Sequence, residues 1–341
     1  MSESKLYFDL YTGILELTVE DAVSHLSEAA HLGWFLVQLD AANLPDRPLV
    51  KLRITPVVGE LDLKKVGGQR RDTQTGVSVA SDNERPDGPW IIVEDKAGLR
   101  LLENGHCEMF AETTSAEAAY AVKNAMIFAV SHAITGLGGN LLHAACLLTP
   151  DRDSIVILQA PSGTGKTTTS MALALSGFAI TGDDTTGLLR ADGETSPVMG
   201  WGVPRAAKVH RKTVAMLPDL APLVTEGKWN DEDEKAIERA SLIEAGLGAV
   251  TAKPLPIKAV IALAKPESDT DFQPTISAPF DALTKLLNDN LSAGAEGFFP
   301  SHDDLFTTLS ELVARVPTFR VPVNGSPKEV AQRIASTVAS L

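Results

Sequence analysis

Apolar residues fall in short runs through the first third of the chain. Beyond it they form β-branched runs that alternate with stretches of helical period. In residues 1–112, the segments 34–39, 49–54, 90–93 and 99–102 read as strands between turns, with one helix at 19–32 ahead of the first. The stretch 67–88 is crowded with Gly, Asp, Arg, Asn and Pro and reads as a mobile loop or hairpin tip. Ala119, Val122, Met126, Ala129, Val130 and Ala133 then recur at helical spacing. That pattern predicts a helix over 115–135, capped by Thr114 or Ser115, stopped by Gly136 and joining two halves of the chain. A strand over 140–148 turns at Thr149-Pro150-Asp151 and returns as a buried strand over 154–158. Next come a helix over 167–176 stopped by Gly177 and a short strand over 178–181. Farther on lie an acidic helix or lid at 230–238 running into 239–245, a buried strand at 257–263 and a helix at 301–316. A strand at 318–323 and a closing helix at 327–341, capped by Ser326, end the chain. The alternation predicts an α/β domain over 115–341 behind a smaller α+β accessory domain over 1–114.

Composition narrows the function more than the fold. The chain has 341 residues, 44% of them apolar and 22% charged, with a formal net charge of −14. An acidic surface argues against nucleic acid or an anionic membrane as the main partner. Two cysteines, Cys107 and Cys146, make neither a disulfide framework nor a metal-ligand spacing. The N-terminus lacks a basic start followed by a long apolar stretch, and no apolar run approaches membrane-spanning length. These features predict a cytoplasmic chain in a reducing compartment.

The chemistry concentrates at Ala160-Pro161-Ser162-Gly163-Thr164-Gly165-Lys166-Thr167-Thr168, between a strand-like run and a helix-like run. That context lets unpaired backbone N–H groups at a helix start converge on an anion, assisted by the helix dipole. Gly163 and Gly165 let the backbone curl, Lys166 places an ammonium between β and γ phosphates, and the Thr167 hydroxyl is placed to ligate Mg²⁺. A surface turn rich in Gly, Ser and Thr is the plainer alternative. The usual pattern begins with Gly, so Ala160 requires a negative φ. After the next strand, Gly182-Asp183-Asp184-Thr185-Thr186-Gly187 sets two carboxylates where a nucleotide site needs a Mg²⁺ ligand or a base; in isolation this is ordinary turn chemistry. Arg205, Lys208, His210, Arg211 and Lys212 form a basic cluster, read either as cations for a phosphoryl group or as a solvated helix face.

In order, Leu142-His143-Ala144-Ala145, the loop 161–168 and the motif 182–187 resemble the superfamily of the HPr kinase/phosphorylase catalytic domain and the phosphoenolpyruvate carboxykinases. The resemblance covers about residues 138–212. It implies a P-loop kinase fold of that type, with ATP phosphates on Ser162, Gly163, Thr164, Gly165, Lys166, Thr167 and Thr168. It also implies Mg²⁺ on Thr167 and one of Asp183 and Asp184. The other aspartate, steadied by His143, would deprotonate a hydroxyl of a protein, peptide or small molecule, with Arg205 or Lys208 completing the charge clamp. In carboxykinases the corresponding His and Asp ligate a divalent metal instead. HPr kinases are hexamers, so the resemblance also implies self-association. Where true HPr kinases carry Glu-x-Arg-Gly-x-Gly, this chain has Val198-Met199-Gly200-Trp201-Gly202-Val203, without either charge. The resemblance therefore does not extend to phosphorylase activity or to HPr as acceptor. A small carboxykinase-like lyase and a non-catalytic ATP-binding regulatory module are the alternatives.

Overall fold

The computed structural model describes residues 3–24, 37–57, 63, 69–72, 78–82, 85–112, 116–161, 163–190, 197–203, 206–224, 229–230, 233–268, 270–291 and 303–341. They divide into two compact units, Met1–Asn140 and Leu141–Asn290 with Asp303–Leu341. Both mix strands and helices. Among the described residues no helix is long and apolar enough to cross a membrane.

The first unit is built on one nine-stranded sheet. Its strands are β1 (Glu3–Asp9), β2 (Ile14–Glu20), β3 (Val37–Leu39), β4 (Leu49–Pro56), β5 (Gln69–Asp72), β6 (Ser78–Asp82), β7 (Trp90–Val93), β8 (Ala97–Leu101) and β9 (Cys107–Ala111). They lie in the order β3-β1-β2-β4-β9-β8-β7-β6-β5. Helix α1 (Ala116–Gly136) packs on β7, β8 and β9 through Ala118, Ala121, Val122, Ala125 and their successors. One expectation changes here and another is narrowed to one of its two forms. Val19 and Glu20 close a strand and a single 3-10 turn follows at Asp21–Val23, where the sequence predicts a helix; residues 25–32 lie outside the described ones. Strand β2 is buried on both faces, Glu16 and Thr18 included, although Leu15-Glu16-Leu17-Thr18-Val19-Glu20 alternates in the manner of a half-buried strand. The stretch 67–88 carries the antiparallel hairpin β5–β6, with Arg70 opposite Ala80. Gln69-Arg70-Arg71-Asp72 has no apolar residue to announce it.

The second unit is a three-layer arrangement. It begins with β10 (Gly139–Leu142), β11 (Ala145–Leu148), β12 (Ile155–Gln159), α2 (Lys166–Ala174), β13 (Ala179–Gly182), β14 (Thr186–Arg190) and β15 (Val198–Gly202). A separate ribbon of β16 (Ala207–His210) and β17 (Glu234–Ile237) encloses α3 (Arg211–Met216) and is followed by α4 (Arg239–Glu244). Then come β18 (Leu255–Ala264), β19 (Thr275–Ile276), α5 (Pro279–Leu291), α6 (Asp303–Arg315), β20 (Thr318–Pro322) and α7 (Pro327–Ala339). The sheet runs β10-β14-β15-β18-β12-β11-β13, and β20 pairs with both β18 and β19. Strand β12 is parallel to β18 and antiparallel to β11. Its alternate residues feed two cores. Val156 and Leu158 pack with α2 and α7, while Ile155 and Ile157 pack with α5 and α6.

Three readings are corrected in this unit. The strand over 140–148 is broken at His143 and Ala144. The acidic stretch 230–238 supplies strand β17, in register with β16 from Ala207↔Ile237 to His210↔Glu234, rather than a helix or lid. The basic cluster is not one helix face, because Lys208 and His210 lie on β16 and the helix starts only at Arg211. Helix α5 escaped the sequence reading altogether.

Candidate functional site

Two positive-φ glycines make the turn between β12 and α2. Gly163 has φ 74° and Gly165, the residue capping α2, has φ 103°. A side chain at Gly165 would be strained by backbone conformation rather than by crowding, since nothing lies within 4 Å of a Cβ built there. Ala160 is 2% exposed and not among the residues of positive φ, as its methyl group requires. The Thr164 N–H donates to Pro161 O at 3.1 Å and closes the turn. Lys166 and Thr167 therefore leave the first turn of α2 from a fixed backbone.

Five side chains meet at this point. The Lys166 ammonium donates to Asp184 Oδ1 at 2.8 Å and lies 3.0 Å from His143 Nε2. An ammonium has only protons to give, so Nε2 accepts and the ring proton sits on Nδ1. That nitrogen faces Asp184 Oδ1 at 3.4 Å. Thr167 Oγ1 donates to Asp183 Oδ2 at 3.2 Å. The two aspartates are thereby separated in role. Asp184 shares its oxygen with the ammonium and the imidazole and is 40% exposed, whereas Asp183 is 5% exposed and tied to the threonine. Burial, and then the Asp184 charge, push the Asp183 carboxyl up to about 6, against the opposing pull of Lys166, Thr167 and the Lys208 main chain. Among the described residues no donor reaches its buried Oδ1 in ordinary hydrogen-bond geometry.

The acidic corner owes its shape to lack of space. A Cβ at Gly202 would stand 2.2 Å from the Thr181 carbonyl carbon, and one at Gly187 would stand 2.1 Å from the ring of buried Trp201. Strands β13, β14 and β15 can approach only because those residues are glycines. The His143 corner is held differently. Its N–H donates to Asn290 Oδ1 on α5 at 2.6 Å, and Thr186 Oγ1 donates to Ala144 O at 3.0 Å.

Of the residues read from the sequence, His143, Lys166, Thr167, Asp183 and Asp184 come together. Gly163, Thr164 and Gly165 form the turn above them. Thr168 turns aside and shares a hydroxyl hydrogen bond of 2.8 Å with Thr213 on α3. Ser162 and Arg205 lie outside the described residues. Lys208 points its side chain outward toward Glu234 at 3.8 Å, and only its main chain reaches Asp183. Asn290 and Thr213 were not foreseen. For Asn290 the one available signal was its place at the end of the helical stripe Ala282, Leu286, Asn290.

Among the described residues no three His, Cys, Asp or Glu side chains gather as a ready metal cage. The hard-oxygen pair of Thr167 and the unpartnered Asp183 Oδ1 still suits Mg²⁺. That ion is held by one or two protein oxygens and takes the rest of its shell from phosphates and water.

No family model matches the chain, and no curated protein matches it in sequence. Among solved structures it is similar to the Hpr(Ser) kinase/phosphatase from Coxiella burnetii, with 15% identity, 59% of this chain and 92% of that chain covered, and a TM-score of 0.31. At that score the likeness decides neither fold nor function.

Proposed function

We propose that the second unit is an ATP-dependent phosphotransferase that moves the γ-phosphoryl group to a hydroxyl of a protein, a peptide or a small molecule. The observation that carries this reading is the convergence of the Lys166 ammonium, the Thr167 hydroxyl and two unlike carboxylates at the mouth of a Gly-rich turn. The amides of that turn and Lys166 bind the β and γ phosphates. Thr167 and Asp183 hold Mg²⁺, which neutralises charge on the phosphate oxygens when bound. Asp184, steered by His143 Nδ1–H, accepts the proton of the incoming hydroxyl. Most of the acceleration then comes from position and charge, as phosphoryl transfer requires little covalent help.

The test is ³¹P NMR of Mg·ATP with serine peptides and polyols as acceptors. Wild type is expected to form a phosphoester. Lys166→Ala should lose nucleotide binding. Asp184→Asn should still bind ATP but transfer about 10²- to 10⁴-fold more slowly. Unchanged rates in both variants overturn the assignment. Tight binding without transfer to any acceptor favours a regulatory module, and CO₂ release from oxaloacetate favours a lyase.

A further inference from the structure

Gln159, the last residue of β12, is fully buried, and among the described residues neither its Oε1 nor its Nε2 has a hydrogen-bond partner. Buried amides are almost always paired, and an apolar residue of the same size would avoid the cost of leaving one unpaired. The glutamine stands one residue before the Gly-rich turn, and packing alone does not call for its polarity. Period-two alternation along β12 puts the side chain on the same face as Ile155 and Ile157, toward α5 and α6. Continuing the β11–β12 register from Ala145↔Leu158 by one step sets Gln159 opposite Ala144. Its neighbour in the parallel ladder is Ala262. Both flanking side chains are small.

Ala144 and His143 form the break between β10 and β11, where the Ala144 N–H turns back to Leu142 O at 2.9 Å. Polar side chains take the groups on either side: Asn290 accepts the His143 N–H and Thr186 donates to Ala144 O. Gln159 is the third buried polar side chain at this break. It stands beside alanines and brings one donor group and one acceptor. A buried water of two to four polar partners is the guest that fits such a place.

We propose that Gln159 is a positioning residue, which holds the His143 turn through an internal water molecule and so fixes the imidazole against Lys166 and Asp184. The consequence for turnover rests on the phosphotransferase reading above; the structural claim does not.

The test compares wild type, Gln159→Met and Gln159→Glu by thermal unfolding and by long-range ¹H–¹⁵N NMR of the histidine rings at one pH. His143 is assigned from a His143→Gln sample. Gln159→Met should melt at or above the wild-type temperature, displace the His143 ring signals and slow phosphoryl transfer about 10-fold, as loss of an outer-shell partner does. Gln159→Glu keeps a hydrogen-bonding group on the same stem and should hold those signals nearer to wild type. Ring signals unmoved in Gln159→Met overturn the proposal. Equal loss of melting temperature in both variants also overturns it, because Gln159 is then a packing residue. Failure of wild type to turn over ATP defeats the functional reading alone, and the ring signals still decide this one.

Discussion

Asp183 is buried beside a second carboxylate, and its neutral form is favoured in the fold: the carboxyl titrates near 6, against 3.8 for the free group. Between these two values the folded chain binds more protons than the unfolded one, so stability falls as pH rises from about 4 to about 6. The loss amounts to about 3 kcal/mol, complete above the folded value. In chelator, urea unfolding of Asp183→Asn should show a flatter pH profile across that window and a gain of up to about 3 kcal/mol at pH 7.5. A variant as pH-dependent as wild type would mean that another group carries the slope. A bound divalent ion reverses the sign by favouring the charged carboxylate. At this scale the motif residues were legible because each brings recognisable chemistry at short spacing. The division of labour between Asp183 and Asp184 was not, because it depends on which carboxylate the fold buries. Asn290 was invisible for a related reason: an asparagine ending an amphipathic stripe looks like any surface residue until the helix is docked.

Elements differ in how openly they declare themselves. Strand β12, α2 and β13 were readable, since β-branched runs, two glycines and the stop at Gly177 agree with one another. Helix α7 was readable from its cap. Ser326 Oγ accepts from Glu329 N at 3.3 Å while the Glu329 carboxylate takes the Ser326 N–H at 2.7 Å. Ser326→Ala should therefore cost about 1 kcal/mol in chemical denaturation, with little effect on nucleotide affinity. Strand β5 was hidden because it is polar throughout, whereas β2 carries a legible alternation of Leu15, Leu17 and Val19 with Glu16, Thr18 and Glu20. The contact of β13 with β15 predicts a harsher outcome. Gly202→Ala drives a methyl group into the Thr181 backbone and should destabilise by about 3 kcal/mol or more, because the obstacle is main chain that cannot turn away. Recovery of full stability in that variant would show that the two strands have room to part.

For the whole molecule, the two compact units set the form of unfolding. The five converging side chains all belong to the second unit. Calorimetry should show more than one transition, and Mg·ATP should raise only the one that belongs to the second unit. At a hundredfold excess over the dissociation constant, the gain is about 2.7 kcal/mol. A uniform rise of every transition would count against a site confined to this unit. The hydrogen bond between His143 and Asn290 joins positions 147 residues apart. A ribosome extrudes the Gly-rich turn and the acidic pair well before residue 290. The nascent chain thus displays every recognisable motif while its histidine corner still lacks a tie, and a product truncated ahead of α5 would keep the signature without a finished centre.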